Sequence, residues 1–153
     1  MDEKIAIGSD HRGFEIKEAL KAELAGMGKT VEDKGAFSTE SADYPEFARL
    51  VACAVSANEC DRGILICGSG IGMSVTANKF PGVRAALCHD THTAKMSRQH
   101  NDSNILVLGE AVGAEQAREM LNVWFATSFE GGRHQRRLDM IKMIEHENFK
   151  ETV

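Results

Sequence analysis

Short apolar runs that break at polar, glycine-bounded turns alternate along this chain with longer stretches of helical period, and that alternation restricts the fold more than any other feature. Lys4-Ile5-Ala6-Ile7-Gly8 stops at Ser9-Asp10-His11-Arg12-Gly13. From there Phe14, Ile16, Ala19, Leu20 and Leu24 leave Glu15, Lys17, Glu18, Lys21 and Glu23 largely on the opposite face, and Gly26 and Gly28 close the segment. Thr30 to Gly35 reads as a weak, partly exposed second strand. A polar loop from Ser38 to Asp43 then leads to Tyr44-Pro45, with Pro near the first turn of a helix running to about Ala57. Arg62 to Cys67 is strongly strand-like and breaks at Gly68-Ser69-Gly70-Ile71-Gly72, after which helical character resumes from Met73 to Phe80. Val83 to Cys88 and Ile105 to Leu108 complete about five strands, and Thr91 to Asn101, Ala114 to Thr127 and Arg133 to Asn148 read as helices. This order predicts a single-domain, doubly wound α/β fold over residues 1–153, a parallel sheet with helices on both faces and an extra C-terminal helix. Leu138, Met140, Ile141, Met143 and Ile144 put an apolar stripe on that last helix, which either packs on another subunit or caps the chain's own core.

Composition removes several classes of function. A chain of 153 residues buries enough surface to fold without a disulfide or structural metal. The formal charge of -5 lacks the positive field that a nucleic-acid backbone demands, so no nucleic-acid partner is expected. No apolar run reaches the roughly 20 residues of a membrane span, and Met1-Asp2-Glu3-Lys4 leads straight into a strand, so a cytoplasmic protein with no membrane partner is expected. Cys53, Cys60, Cys67 and Cys88 form no CxxC pair, the usage of reduced thiols. Cys53, Cys60 and Cys88 read as small buried apolar side chains.

Ligands of an open parallel sheet bind beyond the carboxyl ends of its strands, which directs attention to Asp10-His11, to Cys67 with its glycine loop, and to Arg98-Gln99-His100-Asn101-Asp102 after the fourth strand. Gly68 to Gly72 can converge several N–H groups on an anion, or can be a tight strand-to-helix turn; it lacks the P-loop Lys and the GxGxxG spacing. Cys67 beside that loop would have its thiolate favoured by N–H dipoles, making it a candidate base or nucleophile. His100 reads as a proton-transfer group or a surface histidine. Arg133 and Arg137, four residues apart, share a helical face able to grip one phosphate, or form a solvated basic face.

Taken in order, Gly8-Ser9-Asp10-His11-Arg12-Gly13, Asp43-Tyr44-Pro45, Cys67 to Gly72, Ala77-Asn78-Lys79, Arg98 to Asp102 and Glu130-Gly131-Gly132-Arg133-His134 resemble type B ribose-5-phosphate isomerases from the first strand to the last helix. The resemblance implies a Rossmann-like, cofactor-free and metal-free aldose–ketose isomerase. It would act on a small-molecule sugar phosphate, interconverting ribose 5-phosphate and ribulose 5-phosphate in the pentose phosphate pathway. It would be a homodimer or dimer of dimers with active sites between subunits. By position, Cys67 would shuttle the proton between sugar C2 and C1, and Gly68, Gly70, Ile71 and Gly72 would line the loop that donates N–H groups to the enediolate oxygen. Ser69 would assist at the sugar oxygens, and His100 with Asp10 would open the furanose ring. Asp43 and Tyr44 would form the sugar-side wall; His11, Arg133 and Arg137 would hold the phosphate, with Asn101 near the loop.

A family branch carries its base as a glutamate just after the glycine loop; Met73 stands there, so the chain resembles the cysteine branch. Many relatives carry a phosphate-binding arginine after strand five, where this chain reads Gly109-Glu110-Ala111, and Arg12 is either a compensating charge or a plain surface residue. The alternatives are the same chemistry on a six-carbon or four-carbon sugar phosphate (allose 6-phosphate, galactose 6-phosphate, erythrulose phosphate), or a silent phosphosugar-binding module. A dinucleotide oxidoreductase would need the missing fingerprint.

Overall fold

The computed structural model describes residues 2–149 as one domain, so Met1 and residues 150–153 of the expected span 1–153 lie outside the described residues. The strands are β1 (Lys4–Ser9), β2 (Thr30–Asp33), β3 (Arg62–Cys67), β4 (Ala85–Leu87) and β5 (Ile105–Gly109). The helices are α1 (Phe14–Gly26), α2 (Tyr44–Ser56), α3 (Ile71–Ala77), α4 (Thr91–Asn101), α5 (Gly113–Ala126) and α6 (Arg133–Asn148). All strand pairs are parallel, in the order β2-β1-β3-β5-β4.

Side chains alternate faces along each strand, so every strand feeds two cores. Ile5, Ile7, Ile64, Ile66, Leu106 and Leu108 pack with α1, α4 and α5 around the fully buried Trp124. Ala6, Leu65, Cys67, Ile105 and Val107 face α2 and α3. With α1 on one face leading from β1 to β2 and α3 on the other leading from β3 toward β4, the chain leaves β1 and β3 in opposite directions. The crevice where ligands bind in such sheets therefore opens above the carboxyl ends of β1 and β3.

Two elements and one cysteine depart from the sequence expectation, and one open alternative is decided. The helix expected from Met73 starts at Ile71, because Gly70 adopts φ +80 and turns the chain into a helix at once. It ends early, where Asn78 spends its side chain on the Ser74 and Ala85 carbonyl oxygens (both 3.0 Å). The strand expected from Val83 is only Ala85–Leu87, since the Arg84 N–H is taken by Asn104 Oδ1 at 2.7 Å instead of a strand partner. All four cysteines are free, but Cys53 lies on the exposed face of α2 and not in the core, where Cys60 and Cys88 are; burial raises the Cys60 thiol to about 11. Finally, α6 does not cap the chain's own core: Met140, Ile141, Met143 and Ile144 are all exposed.

Candidate active site

The crevice is built from three chain turns. After β1, Asp10 is buried and its Oδ1 accepts the N–H groups of Arg12 (3.0 Å) and Gly13 (3.1 Å), closing a turn ahead of α1. Gly13 is required there, because a Cβ would stand 2.6 Å from the Ile66 carbonyl oxygen of β3. That contact draws the Asp10 turn against the Cys67 strand. His11 Nδ1 lies 3.1 Å from the Ala42 N and 3.3 Å from its carbonyl oxygen, which ties the ring to the loop ahead of α2.

After β3, Cys67 is buried and its Sγ accepts the Gly70 N–H at 3.2 Å. Ser69 Oγ accepts the Ile71 N–H at 3.2 Å. Among the described residues no acceptor meets the N–H groups of Gly68, Ser69 and Gly72, so the loop keeps donors of its own. Tyr44, first residue of α2, lays its ring over Gly72, where a Cβ would be 2.4 Å from Cζ; Asp43 precedes it as the helix cap. Asp10, His11, Asp43, Tyr44, Cys67 and the loop to Gly72 thus share the carboxyl edge, as the sequence predicts.

The Arg98 to Asp102 cluster does not join them. Because α4 runs antiparallel to the strands, its last turn lies at the amino edge, just before β5. Asn101 and Asp102 offer their carbonyl oxygens to Arg84 ahead of β4 (3.2 and 3.1 Å), and the Asn104 carbonyl oxygen accepts the Gly63 N–H at the start of β3. The expectation that this cluster decorates a carboxyl end is corrected: a strand of five residues, about 17 Å, separates His100 and Asn101 from Cys67. Arg98 is buried and holds Asp102 Oδ1 (2.8 Å) and the Ser103 carbonyl oxygen (2.6 Å), so it locks the helix end that presents His100.

Arg133 and Arg137 stand with His100, not with Cys67. The Glu130 N–H donates to the Gln99 carbonyl oxygen at 3.0 Å, bringing the start of α6 onto the end of α4. His134, which the sequence reading left without a role, stacks on His100 with centroids 4.3 Å apart and planes 12° from parallel. Burial, then Arg133, pulls the His134 imidazole below its ordinary value. Its Nε2 is buried without a hydrogen-bond partner among the described residues. The only signal for it in the sequence was its place inside Gly131-Gly132-Arg133-His134.

Among the described residues, His100, Glu130 and His134 bring three possible metal-ligand atoms within 4.8 Å of one another. A metal must lie near the plane of each imidazole that binds it, and two stacked, nearly parallel rings share no such point. Both arginines also oppose a cation there. The donor set suits an anion better.

A buried thiol under a glycine loop, at the switch point of a parallel sheet, defines an α/β protein that handles a small polar ligand in a crevice. The chain belongs to the ribose/galactose isomerase family, whose model matches residues 5–141. It is 49% identical over 143 residues to ribose-5-phosphate isomerase B of Escherichia coli, covering 93% of this chain and 96% of that protein. It is 39% identical to the D-erythrulose-4-phosphate isomerase of Pectobacterium atrosepticum, over 94% of this chain and 95% of that one. Among solved structures, ribose-5-phosphate isomerase B of Clostridium thermocellum superposes with TM-score 0.91 at 49% identity, covering 94% of this chain and 98% of that one. The Mycoplasma genitalium isomerase with bound ribulose 5-phosphate gives 0.92 at 40%, covering 97% and 99%.

Proposed function

We propose that the protein is a sugar-phosphate isomerase that interconverts ribose 5-phosphate and ribulose 5-phosphate, and that its active site is completed by a second copy of the chain. The observation that carries this reading is the buried Cys67 thiol, whose Sγ takes the Gly70 N–H of a glycine loop in which the Gly68, Ser69 and Gly72 N–H groups have no acceptor among the described residues. Aldose–ketose isomerisation needs a base to move one proton between neighbouring carbons, and donors aimed at an oxygen whose charge appears only in the enediolate. Cys67 takes the proton from C2 and returns it to C1; the loop from Gly68 to Gly72 receives the oxygen, and Ser69 Oγ serves the adjacent hydroxyl. Asp43 and Tyr44 wall the sugar.

A furanose must first open, which needs an acid and a base on opposite sides of the ring. Asp10 supplies one side. His100 of the partner subunit supplies the other, because within one chain a full strand length separates the two groups. Arg133, Arg137 and Asn101 of the partner subunit come with it, and meet His11 around the phosphate. The exposed stripe of Met140, Ile141, Met143 and Ile144 on α6 gives the second copy an apolar surface to cover. Placement in the cytoplasm rests on free cysteines and on there being no helix, among the described residues, long and apolar enough to cross a membrane. The whole chain acts as one isomerase domain per subunit.

The test is a panel of ribose 5-phosphate, allose 6-phosphate, galactose 6-phosphate and D-erythrulose 4-phosphate, assayed with chelator present. The expected result is the highest kcat/KM on ribose 5-phosphate, unchanged by the chelator. A higher value on another sugar would keep the chemistry and change the substrate, and loss of activity that added metal restores would end the metal-free account.

A further inference from the structure

Two side chains at the mouth of the Cys67 crevice have no part in the chemistry above. Arg12 lays its guanidinium over the glycine loop, where a Cβ on Gly68 would stand 2.5 Å from Nη1, and ends in an ion pair with Glu110, 98 positions further along. Glu110 begins the turn after β5, and its N–H donates to the Gly68 carbonyl oxygen at 3.0 Å. The loop is therefore held from below by the Glu110 backbone and covered from above by the Arg12 side chain. Both side chains keep solvent access, 55% and 37% exposed, and an ion pair that open contributes little to stability.

Its charge matters more. The turns that build the crevice after β1 and β5 and ahead of α2 carry Asp10, Asp43 and Glu110, and against them stand His11 and Arg12. Without Arg12 that balance would repel a phosphate dianion. A guanidinium presents five donors in a planar fork that fits phosphate oxygens, and a single carboxylate leaves part of that fork unused.

We propose that Arg12 is the phosphate-binding cation contributed by the subunit that contributes Cys67, and that Glu110 is its stand-in anion, holding the fork over the glycine loop until a phosphate replaces the carboxylate. This rests on the reading of the substrate as a sugar phosphate. It assigns the phosphate two origins of positive charge, Arg12 beside His11 from one subunit and the α6 arginines from the other. It also makes Glu110 a competitor, so that removing its charge tightens binding.

The test measures inorganic phosphate binding by calorimetry, and ribose 5-phosphate kinetics, for the intact oligomer and for Arg12→Ala, Arg12→Lys and Glu110→Gln. Arg12→Ala is expected to weaken phosphate and raise KM by about 10-fold or more, with kcat within about threefold. Arg12→Lys should recover part of the loss, since it restores charge without the fork, and Glu110→Gln should tighten phosphate and lower KM. Unchanged phosphate affinity and KM in Arg12→Ala would overturn the proposal, as would a fall in kcat at constant KM. Weaker phosphate binding in Glu110→Gln would overturn the stand-in role. An unmutated protein inactive on every sugar phosphate would count against the proposed function alone, and phosphate calorimetry would still decide the role of Arg12.

Discussion

Cys67→Ala is expected to lower kcat on ribose 5-phosphate by about 10³-fold while KM changes little, the signature of a lost proton-transfer group. Sγ is buried at the foot of the glycine loop and is met by that loop's Gly70 N–H. Alanine removes it without adding volume, so the fold survives and thermal unfolding shifts by only a few degrees. Cys67→Ser keeps nearly the same shape and even a hydrogen-bond acceptor for Gly70. It should nevertheless lose about as much activity, because a hydroxyl is far too weakly acidic to cycle as the base near neutral pH. Equal losses in the two variants separate proton transfer from packing. A serine variant with a tenth or more of the parent kcat would remove Cys67 from the role of base.

Gly70→Ala is expected to be nearly as damaging, for a geometric reason. Gly70 has φ +80, and a Cβ there would stand 2.5 Å from Leu87 Cδ1 and 3.1 Å from the carbonyl carbon and oxygen of Leu108. The tip of Leu87 is partly exposed and can swing away, but the Leu108 backbone belongs to β5 and cannot. The left-handed backbone alone costs a non-glycine residue about 1–2 kcal/mol. Relief of the contact must move Gly70, and with it the N–H that reaches Cys67 Sγ. A loss of about 10²-fold or more in kcat is expected, together with a fall of several degrees in Tm. Gly28→Ala is the matched control: Gly28 has φ +73 with nothing within 4 Å of an added Cβ, in the turn between α1 and β2. It should show the backbone cost in Tm and full activity. Full activity in Gly70→Ala as well would mean that the loop's conformation does not serve the chemistry.

The sheet and its helices could be read from the chain because their signals are local. Ile5, Ile7, Ile64 and Ile66 alternate with Ala6, Leu65 and Cys67 at the strand period, and glycine or proline marks most boundaries. Where boundaries moved, a side chain had taken a backbone partner, as Asn104 does at Arg84 and Asn78 at Ala85, or a glycine had turned the chain early, as Gly70 does ahead of α3. Half of the candidate site was legible in the same way, since Asp10, His11, Cys67 and the glycine loop directly follow their strands. The rest depends on direction and distance. The position of His100 at the amino edge follows from α4 running against the strands, which residue spacing does not state. The stacking of His134 on His100, 34 positions apart, and the pairing of Arg12 with Glu110 are products of the tertiary fold, without a periodic trace in sequence. The exposure of Cys53 shows the converse, an apolar-looking position that falls on the outer face of its helix.

The measurement that tests the account most directly is complementation between Cys67→Ala and His100→Ala subunits, co-expressed with different tags and purified as a mixture. Each variant alone has no intact site. If Cys67 of one subunit works with His100 of the partner subunit, random pairing makes half of the dimers hybrid, each with one complete site and one doubly defective one. Activity should then rise well above either variant alone, to about a quarter of the parent protein. Activity that stays at the level of the two variants, in a mixture shown by its tags to contain hybrids, would contradict a site shared between subunits.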